Sequence, residues 1–184
     1  MRELASKSQL RMSFARRALI TVPLIVFLGF LMGSLSGSGE NNSWFAQLVK
    51  PSIQPPGAAF GIAWTILYAM MGFAVAMILH ARGAAGRTVA LCLFALQLTL
   101  NLGWSPLFFS AHQVSAAFVL IIIILIAATV TTIAFWRVRR WAAWLLVPYL
   151  AWLIFAAVLN YRIDQLNPDA ESMLPSPGRT QVIL

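Results

Sequence analysis

The chain has 184 residues, 60% of them hydrophobic and only 10% charged. A soluble domain carries about 25% charged residues, so the composition excludes an ordinary water-soluble fold. Thirteen Lys and Arg against five Asp and Glu give a formal net charge of +8. The basic residues flank apolar runs, which marks membrane topology rather than a nucleic-acid surface.

A membrane-crossing helix needs about 20 mostly apolar residues. Five stretches qualify: Ala18–Leu35, Pro56–His80, Thr88–Phe109, Gln113–Trp136 and Trp141–Ile163. The fold class expected is therefore an all-α integral membrane protein, a five-transmembrane-helix bundle. Residues 1–17 read as a basic cytoplasmic N-terminal tail and 18–166 as the membrane domain. Residues 167–184, with Pro168, Pro175 and Pro177, read as a disordered polar C-terminal tail.

The first span has the basic start and small-residue end of a secretory signal. It also carries Gly29, Gly33 and Gly37, a repeated GxxxG ridge suited to close helix packing. A cleaved signal has no use for such a ridge, so a retained span is expected, packed within the chain. The connection that follows, residues 36–55, is the one long loop. Loops of that length in compact domains are commonly functional. Trp44, Phe45 and the prolines suggest an ordered cap that gates access to the bundle.

The second span opens on its own GxxxG, Gly57 to Gly61, and carries Phe60, Trp64 and Tyr68 at helical spacing. The third contains QLTLNLGWSPLFF, residues 97–109. Gln97, Asn101 and Trp104 fall on one face, a feature that a pure anchor does not need. Pro106 frees the Leu102 carbonyl, which must find a partner inside the bundle. The fourth span has few polar groups beyond threonines and reads as mainly structural and lipid-facing. The fifth presents Tyr149, Trp152, Ala156 and Asn160 as a stripe.

Of the seven tryptophans, Trp44, Trp136 and Trp141 sit where an interfacial belt accounts for them. Trp64, Trp104, Trp144 and Trp152 do not. Amides between membrane helices can serve as glue alone, at about 0.6 kcal/mol each. Converging aromatic stripes with a few amides fit a pocket for a large, flat, apolar molecule better.

Ten basic residues lie on one side of the spans, including Arg2, Lys7, Arg82, Arg87 and Arg137. Three, Lys50, Arg162 and Arg179, lie on the other. This asymmetry places the N-terminus in the cytoplasm and the C-terminus outside. No charged residue sits in the middle of a span, which argues against an ion-coupled carrier. Cys92 is alone, His80 and His112 are at span ends, and no catalytic set, metal cluster or phosphate loop is visible.

Three segments carry a resemblance: WFAQLVKPSIQPPGAAFGIAWTILYAMMG, LQLTLNLGWSPLFF and PYLAWLIFAAVLNYRIDQLNP. They closely resemble the TspO/translocator protein family, also known as tryptophan-rich sensory or peripheral-type benzodiazepine receptor proteins. The resemblance spans about residues 18–168. It implies five transmembrane helices and commonly a homodimer; a bacterial cell membrane is the expected location. It further implies tetrapyrrole ligands such as protoporphyrin IX, sterols in some members, and synthetic isoquinolines and benzodiazepines. Porphyrin is then a ligand, and no resident cofactor or metal is implied.

By motif position the implied ligand-binding residues are Trp44, Pro51, Trp64, Tyr68, Asn101, Trp104, Trp152, Phe155, Ala156 and Leu159. A sterol-motif-like segment contains Leu159, Tyr161 and Arg162. Its pattern requires at least one residue between the tyrosine and the basic residue, and here Arg162 follows Tyr161 directly. The function expected is porphyrin binding with a regulatory, sensory or transport role. A light-dependent porphyrin-degrading enzyme and a membrane scaffold are the alternatives.

Overall fold

A computed structural model describes residues 7–173 and contains helices and turns, with no strand among them. The elements are α1 (Lys7–Leu35), α2 (Ser43–Gln47), α3 (Gly57–His80), α4 (Arg87–Ser105), α5 (Val114–Val138), α6 (Arg140–Trp144) and α7 (Val147–Leu166). A π-helical turn, Pro106–Ser110, continues α4, and a 3-10 turn, Ala170–Ser172, follows α7. Five segments are long and apolar enough to cross a membrane, ending with Arg140–Leu166. The protein is a five-span, all-α membrane protein.

Three boundaries differ from the sequence reading. Helix α1 begins at Lys7, so residues 7–17 of the expected tail are helical. Hydropathy alone misses this start because the arginines there lower it. Arg17 lies within one hydrogen bond of the far end of α3, with Nη1 2.8 Å from His80 Nδ1. The fifth span is broken after Trp144 and resumes at Val147, with Pro148 in the first turn of α7. A proline fits there because the first-turn N–H groups have no helical acceptor. Residues 167–173 are packed against the bundle, not disordered: Asn167 and Ala170 are buried. The rest of the expected tail, 174–184, lies outside the described residues.

Helix α1 packs along α3, α4 along α5, and α5 along α7, while α6 bridges α3 and α5. The tightest crossing is at Gly72 of α3. A Cβ there would stand 2.6 Å from the Val22 Cα of α1. Beside it Thr21 Oγ1 donates to the Gly72 carbonyl at 2.8 Å. Gly29 of the expected ridge faces the Tyr68 ring on α3, so its close packing is within the chain. Gly37 is not part of a ridge. It lies beyond α1 at φ +60° and terminates the helix. There Ser38 N–H donates to Gly33 O and Gly37 N–H to Ser34 O, the paired bonds of a Schellman cap. The second GxxxG is not a packing ridge either. Gly61 has open space around its Cβ position, and the atoms nearest a Cβ at Gly57 belong to the exposed Glu40 side chain.

Two apolar clusters form the core. One, around Met71, Ile78, Phe94, Phe135 and Tyr149, fills the arginine-rich end. The other, around Trp44, Phe45, Phe108, Val114 and Ile163, fills the loop end.

Candidate functional site: an aromatic cavity beneath the first loop

A cavity of about 460 Å³ touches both clusters. Small-molecule sites occupy roughly 300–1,000 Å³. Its wall takes Gly29, Phe30 and Gly33 from α1, and Phe60, Gly61, Trp64 and Tyr68 from α3. Asn101, Trp104 and Ser105 come from α4, Phe108 and Phe109 from the π-helical turn, and Trp152, Ala156, Leu159 and Asn160 from α7. The loop contributes Glu40, Phe45, Lys50 and Gln54.

Seven of the ten expected ligand-binding residues line this space: Trp64, Tyr68, Asn101, Trp104, Trp152, Ala156 and Leu159. Three do not. Trp44 is fully buried behind the wall, stacked on His112 with ring centroids 4.5 Å apart. Its Nε1 donates to the Ala170 carbonyl at 2.9 Å. It therefore serves neither the cavity nor an interfacial belt. Pro51 lies in the loop but away from the cavity wall, whose nearest loop residues are Lys50 and Gln54. Phe155 lies on the opposite side of Trp152, in a groove between α3 and α7. Trp144 also departs from expectation. It is half-exposed at the bundle surface, edge-on to Trp136.

The sterol-motif-like segment splits across α7. Leu159 faces the cavity, whereas Tyr161 is exposed beside Phe118 and Arg162 is exposed. Helix α5, expected to be mainly structural and lipid-facing, also supplies Ile121 and Ile124 to the wall. A uniformly apolar helix has no periodic signal from which that face could be read.

The polar face of α4 does two separate jobs. Gln97 lies below the cavity, where Tyr149 Oη donates to its Oε1 at 3.0 Å. One turn on, Tyr68 Oη donates to Asn101 Oδ1 at 2.9 Å. These paired groups brace α3, α4 and α7. Beyond them α4 passes into the π-helical turn at Pro106, where Ala111 N–H donates to Pro106 O at 2.9 Å. The wider turn swings Phe108 under Trp104, with centroids 5.0 Å apart and planes at 18°. Trp64 stacks on Tyr68 on the facing helix, at 5.1 Å and 27°. Two stacked aromatic pairs thus stand on the cavity wall.

Four polar atoms of residues on this wall are unpaired. Trp104 Nε1, Trp152 Nε1, Asn160 Oδ1 and Gln54 Oε1 are buried with no hydrogen-bond partner in the protein. A buried polar group without a partner costs about 1–3 kcal/mol. All four atoms belong to residues that line one apolar space. Among the described residues Lys50 is the one cation on the wall, its Nζ donating to the Phe45 carbonyl at 3.0 Å and lying over the Phe45 ring. Among the described residues no group of His, Cys, Asp and Glu could hold a metal.

The loop over this space is fastened. Gly57 N–H donates to Glu40 at 2.8 Å, and Asn42 Nδ2 to the Phe109 carbonyl at 3.3 Å. Asn167 takes the Val49 N–H at 2.7 Å and gives its amide to the Val49 carbonyl at 2.9 Å. These anchors were not legible in the sequence, because Asn167 is 118 residues from Val49.

Residues 20–166 match the model of the TspO/MBR family. The chain is 47% identical over 150 residues to the tryptophan-rich protein TspO of Chlorobaculum tepidum, covering 81% of this chain and 94% of that one. It is 41% identical over 142 residues to the human translocator protein, covering 76% and 84%. It is 33% identical over 147 residues to the tryptophan-rich sensory protein of Cereibacter sphaeroides, covering 77% and 91%.

Proposed function

The chain belongs to the TspO/MBR family, and from that premise we propose that it binds tetrapyrroles such as protoporphyrin IX in the aromatic cavity. The observation that carries this reading is the wall itself. Stacked aromatic pairs on the wall suit a flat apolar molecule, and Lys50, beside tryptophans whose indole N–H groups lack a protein partner, suits its acidic edge. Protoporphyrin IX has both features: a conjugated macrocycle and two carboxylates. A sterol has a single hydroxyl to offer these groups, so sterols are the poorer match. The biological role in this reading is regulatory, sensory or transport. The words "sensory" and "translocator" in relatives' names are in keeping with it.

The reading places the protein in a bacterial cell membrane with the N-terminus inside. Arg11, Arg16, Arg17, Arg82, Arg87, Arg137, Arg139 and Arg140 gather at one end of the bundle, and Lys50 and Arg162 at the other. A periplasm-dependent reporter fused after Leu184 is expected to be active. Activity only of a cytoplasm-dependent reporter would reverse the orientation.

Lys50 gives the sharpest chemical test. Lys50→Met is expected to weaken protoporphyrin IX binding about tenfold, or roughly 1.4 kcal/mol. The dimethyl ester, which lacks the carboxylates, should bind both proteins alike. Equal losses for acid and ester in a fluorescence titration would show that Lys50 does not meet a carboxylate.

A further inference from the structure

We infer that the cavity exchanges its ligand sideways with the bilayer, through the seam between α3 and α7, and that the Trp152 ring is the gate. The inference rests on the binding reading above. Trp152 has the cavity on one side and an apolar groove on the other. The groove is lined by Ala63 and Ile66 of α3 and by Pro148, Ala151 and Phe155 of α7. The principal packing partners of α3 are α1, α4 and α6, and those of α7 are α5 and α6. The seam between α3 and α7 is thus spanned by side chains. Phe60 and Trp64 meet Trp152 edge-on, at 5.5 and 6.2 Å between centroids.

Nothing polar holds that ring in place, since its Nε1 has no hydrogen-bond partner. Trp152 is the one lining residue that groove and cavity share. The bonds from Glu40, Asn42 and Asn167 and the Trp44–Ala170 bond hold the loop over the cavity, whose exposed edge is at Phe30 and Gly61. Depth agrees with a lateral path. Trp152 lies fourteen residues before Leu166, the end of unbroken α7, about 21 Å at 1.5 Å per residue, well inside a hydrocarbon core about 30 Å thick. A flat apolar ligand is concentrated in that layer, so a seam opening there meets it at its highest concentration.

The test measures rates and affinity separately, in lipid nanodiscs, by stopped-flow porphyrin fluorescence with protoporphyrin IX. Ala63→Phe and Ala151→Phe each fill the groove from outside without entering the cavity. Each is expected to slow association and dissociation together, about tenfold, with Kd changed less than about twofold. Leu at the same positions gives the same test if a Phe variant melts early. Asn167→Ala, which frees the loop, should leave both rates within about twofold. Unchanged rates in the groove variants would overturn the lateral gate, as would faster exchange confined to Asn167→Ala, which would return access to the loop. Absence of saturable binding by the unaltered protein would overturn the binding reading itself, and the gate with it.

Discussion

Gly72→Leu is expected to abolish the folded state in detergent, while Gly61→Ala melts at or above the temperature of the unaltered protein. Both glycines lie in α3, eleven residues apart in a helix of uniform apolarity. Their surroundings are opposite. At Gly72 the first added carbon meets the Val22 backbone of α1, at 2.6 Å from Cα. A side-chain tip could rotate away, but a backbone cannot. Overpacking a tight core with a few methylenes costs about 1–3 kcal/mol when side chains can adjust. Here α1 and α3 must separate along their shared length, and the Thr21 bond to the Gly72 carbonyl is lost with them. A cost at or beyond the top of that range is expected. Gly72→Ala should fold but melt early. At Gly61 nothing lies within 4 Å, so alanine brings only its helix preference, up to about 1 kcal/mol. Thermal melts followed by circular dichroism check the pair. Equal stability of Gly72→Leu and Gly61→Ala would refute the close α1–α3 crossing.

Ala156→Phe is expected to leave the ligand-free protein nearly as stable as before and to weaken porphyrin binding sharply. Ala156 lies one turn beyond Trp152 on the cavity-facing side of α7. In a packed seam the added ring would cost about 1–3 kcal/mol of stability. Facing a cavity of about 460 Å³, it finds room in the unliganded protein and takes that room from the ligand. A binding loss of about 1.4–2.8 kcal/mol corresponds to roughly 10- to 100-fold in Kd. Val158→Phe is the control, because Val158 is exposed on the opposite face. Lowered stability with intact affinity would place Ala156 in a helix contact and remove α7 from the binding surface.

The five spans were legible because a bilayer imposes a length and polarity that few other environments demand. The α7 stripe was legible for a related reason. Its aromatic and amide residues recur at helical spacing against an aliphatic background, and Trp152, Ala156 and Asn160 all reach the cavity. The errors share a cause in long-range contacts. Trp44 sits where an interfacial tryptophan would, and distant contacts, the His112 ring and the Ala170 carbonyl 126 residues away, make it a buried anchor. Phe155 belongs to the same helix face within a few tens of degrees, yet Trp152 screens it from the cavity. The α1 contribution was missed because glycine at Gly29 and Gly33 reads as packing. It is also what keeps the wall open above Tyr68. The packed 167–173 segment was missed because prolines and polar residues look disordered until Asn167 is seen pairing with both backbone groups of Val49.

The most direct test of the central claim is an equilibrium titration of the purified protein with protoporphyrin IX in detergent, read by tryptophan quenching. Four of the seven tryptophans border or adjoin the cavity: Trp64, Trp104 and Trp152 on its wall, and Trp44 behind it. Bound porphyrin should therefore quench most of the emission. The expected result is saturable quenching at one porphyrin per chain, shifted to higher concentration by Ala156→Phe and unshifted by Val158→Phe. Quenching that rises without saturation, with the same slope in all three proteins, would reflect partition into detergent and contradict a binding site in the cavity.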